Sequence, residues 1–129
     1  MEKKSFLIVD DTESIRRLLA RILEKSGHAV TGVGSAEEGL EALSKGKFDL
    51  IFLDDGLPKM MGLTALTEFR KLCQTPIVII TGLDSDDLRE DAMILGARTV
   101  LLKPIEIKDL AKTVRSILGD DVLPLPPED

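Results

Sequence analysis

Short apolar runs alternate with helix-type patterns along the chain. The first run, Phe-Leu-Ile-Val at residues 6–9, ends in two aspartates. The next apolar residues recur three or four positions apart: Ile15, Leu18, Leu19, Ile22 and Leu23. Such spacing predicts a helix with one apolar face.

Four more strand-and-helix pairs are expected. The strands are predicted at Ala29–Val33, 50–53, 77–80 and Thr99–Leu102. Ser35 and Glu38 have the spacing of a capping box and open the second helix. The later helices are predicted around Leu63, Leu66 and Phe69, over residues 84–95, and from Ile107 to Leu118.

This alternation predicts an α/β fold with one five-stranded parallel sheet and helices on both faces. The first, third and fourth strands are continuous apolar runs, as expected when both faces of a sheet are covered. Because crossovers are right-handed, only a few doubly wound topologies remain. The 129 residues fit one domain of this kind.

Charge and composition exclude several classes of function. With 17 Lys and Arg against 23 Asp and Glu, the net charge of −6 argues against direct nucleic-acid binding. The single cysteine, Cys73, and the single histidine, His28, exclude an internal disulfide and a Cys/His metal site. His28 is expected at the surface. No stretch has the length of a signal peptide or a membrane span, so we expect a cytoplasmic protein without membrane contact.

Polar residues come directly after four of the predicted strands. These residues are Asp10 and Asp11, Asp54 and Asp55, Thr81 and Gly82, and Lys103 and Pro104. In doubly wound sheets the functional site lies beyond the carboxyl ends of the strands, so these side chains are predicted to converge.

A cluster of carboxylates needs a cation. Two unit charges about 4 Å apart repel by roughly 4 kcal/mol at an effective dielectric constant near 20. Oxygen ligands without His or Cys favour Mg²⁺, with Mn²⁺ as an alternative. A carboxylate can also attack phosphorus. The cluster is therefore consistent with transfer of a phosphoryl group to an aspartate.

The segments that carry these residues resemble the receiver domain of two-component response regulators. The matching segments are 6–11, 48–54 with Leu57-Pro58 and Gly62, 79–82, 96–97 and 102–104. The resemblance covers about residues 5 to 118. It implies a flavodoxin-like (βα)5 fold, as in chemotaxis regulators, with strand order 2-1-3-4-5. The receiver is expected over 1–118, followed by a Pro- and acid-rich tail or linker over 119–129.

The resemblance also implies a role for each residue around the metal. Asp54 is expected to be the phosphoacceptor and a metal ligand. Asp11 is expected to bind Mg²⁺ directly, Asp10 through water, and Gly56 through its backbone carbonyl. Asp54 is chosen over Asp55 because the family places a proline four residues after the acceptor, which is the position of Pro58.

Other residues are expected to contact or flank the phosphoryl group. Thr81 is expected to bond to it and Lys103 to pair with it, with a cis peptide bond before Pro104. Gly82, Leu83 and Pro104 are expected to flank the site.

Three positions depart from the family pattern. Val100 stands where the family usually has an aromatic residue that takes part in the switch. Asp55 stands where an apolar residue is usual. Met61 replaces the acidic residue that commonly precedes the third helix, so loss of a helix cap is expected.

A switch is the function that the resemblance implies. The donor is expected to be a phosphohistidine on a sensor histidine kinase or phosphotransfer protein, and the output is contact with a further protein. Enzymatic activity is expected to be limited to Mg²⁺-dependent self-phosphorylation and slow self-dephosphorylation.

Alternative functions are an aspartyl-phosphate phosphatase and the receiver half of a larger regulator. The phosphatases use Asp-x-Asp after the first strand, which Asp10-Asp11-Thr12 does not match. A nucleotide-binding domain would need a glycine-rich loop at that place. The tail is expected to be disordered or polyproline-like, and either a true C-terminus or a linker.

Overall fold

The computed structural model describes residues 2–60 and 62–127, with five strands and five helices in alternation. The strands are β1 Ser5–Val9, β2 Ala29–Val33, β3 Leu50–Asp54, β4 Ile77–Thr81 and β5 Thr99–Leu102. The helices are α1 Glu13–Lys25, α2 Ala36–Lys45, α3 Gly62–Leu72, α4 Asp86–Ile94 and α5 Ile107–Leu118.

The strands form one parallel sheet in the order β2-β1-β3-β4-β5. This confirms the predicted fold class and strand order. In its register, Val9 of β1 lies beside Leu53 of β3, and Thr81 of β4 lies beside Leu102 of β5. The carboxyl ends of these four strands are therefore level with one another at one edge of the sheet.

Two apolar cores sandwich the sheet, because alternate residues of a strand face opposite sides. Phe6 and Phe52 lie on the side covered by α1 and α5. Leu7 and Val9 lie on the side covered by α2, α3 and α4, where Phe69 packs. Every residue of β3 and β4 is buried, which accounts for their continuous apolar sequence.

Helices α2 and α4 each begin directly after a serine that caps the helix. The capping box of α2 is present, since the Ser35 hydroxyl accepts a hydrogen bond from the Glu38 amide at 3.1 Å. Helix α4 is shorter than the predicted 84–95, because Ser85 is its N-cap and accepts from the Leu88 amide at 3.2 Å. Strands β3 and β4 each extend one residue further than predicted, so Asp54 and Thr81 still belong to the sheet.

His28 is buried, and the prediction of a surface position is wrong. Only 4% of the residue is exposed, and the Phe6 ring packs against it edge-on. Its Nδ1 accepts a hydrogen bond from the Lys4 amide at 3.0 Å, so the ring proton is on Nε2. That N–H donates to the Val122 carbonyl at 2.6 Å.

The start of the tail is ordered, and the expectation of disorder is wrong for Val122 and Leu123. Both residues are 2% exposed and belong to the core beneath α1 and α5. Arg115 of α5 donates to the Leu123 carbonyl at 3.2 Å. Residues 124–127 have no regular secondary structure. Met1, Met61 and residues 128–129 lie outside the described residues, and so does the cap expected to be missing at Met61.

No helix in the described ranges is both long and apolar enough to cross a membrane.

Candidate functional site

Three carboxylates meet at the carboxyl edge of the sheet. Asp10 follows β1, Asp11 begins the next loop, and Asp54 is the last residue of β3. One oxygen from each lies within 4.8 Å of the others. Asp10 is fully buried and Asp54 is 4% exposed, whereas Asp11 is open to solvent. The predicted convergence of these residues is therefore present.

Lys103 lies between the two buried carboxylates. Its ammonium nitrogen is 3.2 Å from Asp10 Oδ2 and 3.2 Å from Asp54 Oδ1. The Lys103 amide donates to the Thr81 carbonyl at 2.8 Å, which continues the β4–β5 pairing to the lysine. The peptide bond to Pro104 is cis, as the resemblance implied.

Asp10 leaves one buried oxygen without a hydrogen bond. Its Oδ1 accepts from the Thr12 amide at 2.8 Å. Within residues 2–60 and 62–127, its Oδ2 accepts no hydrogen bond, although the Lys103 ammonium forms an ion pair with it at 3.2 Å. A buried carboxylate oxygen is costly to leave unpartnered. A divalent cation or a water bound to it would satisfy this oxygen, and the all-oxygen ligand set suits Mg²⁺.

Burial and charge shift the ionisation of this cluster. Burial raises the pKa of Asp54, and the Asp10 carboxylate adds to the effect. The Gly56 amide and the Lys103 ammonium oppose it without cancelling it. Burial alone would lower the pKa of Lys103, but the Asp10 and Asp54 carboxylates outweigh it and raise that pKa. The lysine is therefore a permanent positive charge at neutral pH.

The two consecutive aspartates Asp54 and Asp55 point in different directions. Asp54 Oδ1 accepts from the Gly56 amide at 3.1 Å and from Lys103 at 3.2 Å. The Asp55 amide donates to the Ile80 carbonyl at 2.8 Å. Its carboxylate lies outside the three-acid cluster, and its Oδ2 is 3.4 Å from the Thr81 hydroxyl. Asp54 is thus the member of the pair that faces the acidic pocket.

Thr81 and its neighbours form the other wall of the site. Thr81 is 2% exposed, and its hydroxyl accepts from the Leu83 amide at 3.1 Å. Leu83 is 62% exposed. Gly82 faces open space, and a Cβ on Gly56 would lie 3.9 Å from Asp54 Oδ1, an ordinary contact.

Val100 is placed away from these polar groups. It pairs with Ile79 in the sheet and packs, half-buried, against the core under α2, α3 and α4. Of the residues assigned to the site from the sequence, it is the one that the structure puts in the core.

Sequence reasoning missed Arg16. Its guanidinium donates to the Asp10 backbone carbonyl at 2.6 Å and so holds the loop that carries the acids. The helical pattern placed Arg16 only on the polar side of α1. The sequence carries no signal for a side chain that reaches back to a carbonyl of the preceding loop.

A sequence profile of the response regulator receiver domain matches residues 6–115. The chain belongs to the response regulator receiver family. Receivers are signalling switches rather than classical enzymes, and they bind Mg²⁺ at an acidic pocket such as the one formed here by Asp10, Asp11 and Asp54.

Individual relatives agree with this assignment. The receiver is 39% identical over 119 residues to an uncharacterized transcriptional regulatory protein, YkoG, of Bacillus subtilis, covering 92% of this chain and 52% of YkoG. This chain thus spans about half the length of the curated relatives that it matches.

Solved structures show the same fold. The chemotaxis protein CheY4 of Vibrio cholerae superimposes with a TM-score of 0.86 at 30% identity, over 91% of this chain and 100% of that one. The BeF3-activated N-terminal receiver domain of Klebsiella pneumoniae RstA gives a TM-score of 0.82 at 30% identity, over 88% and 97% of the two chains.

Proposed function

We propose that this receiver accepts a phosphoryl group on Asp54 from a phosphohistidine of a sensor kinase or phosphotransfer protein. The observation that carries the proposal is the position of Asp54. It is 4% exposed, lies within 4.8 Å of two further carboxylates, and has the Lys103 ammonium 3.2 Å from its Oδ1.

Transfer requires an Asp54 oxygen to attack phosphorus. Both hydrogen bonds of this carboxylate, within the described residues, end on Oδ1, which leaves Oδ2 as the attacking oxygen. A P–N bond of the donor breaks as the new O–P bond forms, and the leaving imidazole takes up a proton.

The residues around Asp54 would hold the transferred group. Lys103 supplies a fixed positive charge, and Thr81 supplies a hydroxyl donor at the end of the neighbouring strand. Asp10 and Asp11 would hold Mg²⁺ together with Asp54, with the Gly56 carbonyl as a further ligand. The metal would neutralise charge on the phosphoryl oxygens.

A phosphorylated receiver would pass on its signal by contact with another protein. Phosphorylation biases an equilibrium between two conformations, and a partner binds one of them better. The match to the receiver-domain profile supports this role over the alternative of an aspartyl-phosphate phosphatase.

A second arrangement is a receiver joined to an output domain. It is favoured by the curated relatives, which are about twice as long as this chain and are named transcriptional regulators. An immunoblot of the native protein separates the two arrangements. A single receiver runs near the 14.1 kDa of this chain, and a two-domain regulator runs at about twice that mass.

Acetyl phosphate with Mg²⁺, followed by intact mass spectrometry, tests the proposed chemistry. We expect one added phosphoryl group that hydroxylamine removes, because an acyl phosphate is a mixed anhydride with an activated carbonyl carbon. The adduct is lost in Asp54→Ala and kept in the matched control Asp55→Ala. An adduct that persists in Asp54→Ala overturns the proposal.

A further inference from the structure

Asp55 is an acidic residue beside the candidate site, but it is not a member of the Asp10, Asp11 and Asp54 cluster. It lies beside the proposed phosphoacceptor, yet its carboxylate is turned out of the acidic pocket. Its side chain is half-buried, and its nearest polar side-chain partner is the Thr81 hydroxyl, 3.4 Å from Oδ2. Asp55 directly follows β3, and Thr81 is the last residue of the neighbouring strand β4. The Asp55 amide donates to the Ile80 carbonyl at 2.8 Å, so the backbone brings the two residues close together.

The Thr81 hydroxyl has a single proton to donate. Its oxygen already accepts from the Leu83 amide at 3.1 Å, which directs the proton elsewhere. Thr81 is 2% exposed, so solvent has little access to it. Within residues 2–60 and 62–127, the side-chain acceptor for this proton is Asp55.

We propose that Asp55 is a positioning residue that holds the Thr81 proton in the unphosphorylated protein and so competes with the phosphoryl group for it. This inference rests on the proposed function of Asp54. On phosphorylation the Thr81–Asp55 hydrogen bond breaks and a Thr81–phosphoryl hydrogen bond forms, with no covalent change at either residue.

The length of the contact fits this role. At 3.4 Å the hydroxyl–carboxylate distance is longer than the usual 2.5–3.0 Å, so Thr81 is held loosely. A phosphoryl dianion would accept the Thr81 hydrogen bond in place of Asp55. Breaking the Thr81–Asp55 contact would offset part of the free energy gained by the new hydrogen bond. Asp55 therefore biases the receiver toward its unphosphorylated state by a small amount.

Beryllofluoride with Mg²⁺ is the probe for the test, and its affinity is measured by calorimetric titration. Asp55→Leu removes the acceptor and restores the apolar type usual in the family. Asp55→Asn keeps an acceptor oxygen but removes the charge. One hydrogen bond contributes a net effect of about threefold to tenfold in affinity. We expect tighter binding by that factor in Asp55→Leu and wild-type affinity in Asp55→Asn.

The threonine supplies the second arm of the experiment. Thr81→Ala removes the hydroxyl proton for which Asp55 and the phosphoryl group would compete. In this background, Asp55→Leu is therefore expected to leave the affinity for beryllofluoride unchanged. Asp55→Ala serves as a second acceptor-free variant if Asp55→Leu fails to fold by circular dichroism.

Each result has a defined meaning. Equal gains in Asp55→Leu and Asp55→Asn, or a gain that persists without the Thr81 hydroxyl, would mean that Asp55 acts only through its charge and would overturn the inference. Wild-type affinity in Asp55→Leu would overturn it while leaving the proposed function intact. A wild-type protein that does not bind beryllofluoride would overturn both.

Discussion

Removing residues 119–129 is expected to destabilise the domain strongly. The truncated chain loses Val122 and Leu123, which are both 2% exposed in the core beneath α1 and α5. It also loses the carbonyl that accepts from His28 Nε2 at 2.6 Å, so a buried N–H is left without a partner.

The size of the effect follows from these contacts. Burying one side chain of this kind contributes about 1.5–3 kcal/mol. An orphaned buried donor costs about 1–3 kcal/mol. For two such side chains and one donor we therefore expect a loss of about 4–9 kcal/mol in the free energy of unfolding, a large part of the 5–15 kcal/mol typical of a domain.

Urea unfolding followed by far-ultraviolet circular dichroism measures this loss, since the chain has no tryptophan to report it. The matched control removes only residues 124–129. It keeps both buried residues, and the Leu125 that it removes is already 46% exposed in the full chain, so a loss below about 1 kcal/mol is expected. A chain ending at Leu118 that is as stable as the full one would refute the reasoning.

Two further predictions concern the core and the acidic pocket. Gly39→Ala is expected to destabilise the protein by about 1–3 kcal/mol despite the better helix propensity of alanine. The added Cβ would lie 2.8 Å from Phe69 and 2.9 Å from Val9, and an unchanged melting temperature would contradict this. Burial and Asp10 raise the pKa of Asp54, so native metal-free protein takes up a proton before the unfolded chain does as the pH falls from neutral. Wild type is thus expected to gain stability relative to Asp54→Asn over that range, and parallel pH profiles in urea unfolding would contradict it.

Much of the fold was predictable because its sequence signals are local. The apolar runs of β3 and β4 and the apolar face of α5 mark those elements directly. The meeting of Asp10, Asp54 and Lys103 followed from topology, since parallel strands end at the same edge. The observed ends of α4, β1, β3 and β4 differ from the predicted ones by one or two residues.

Features that depend on packing between distant segments were not predictable. Val122 and Leu123 are two apolar residues between acids and prolines. The composition of that segment alone therefore predicted disorder. Burial of His28 depends on the same segment, which supplies its acceptor. The contact between the Asp55 carboxylate and the Thr81 hydroxyl likewise joins residues that are 26 positions apart, and no pattern in the sequence indicates it.

The most direct test of the central claim locates the phosphoryl group on the chain. The receiver is phosphorylated with acetyl phosphate and Mg²⁺ and then treated with borohydride, which reduces an aspartyl phosphate to homoserine and releases phosphate. Tandem mass spectrometry of the peptide that carries both adjacent acids then reads the modified position. The account predicts homoserine at position 54 with Asp55 intact. Homoserine at position 55, or at Asp10 or Asp11, would contradict it.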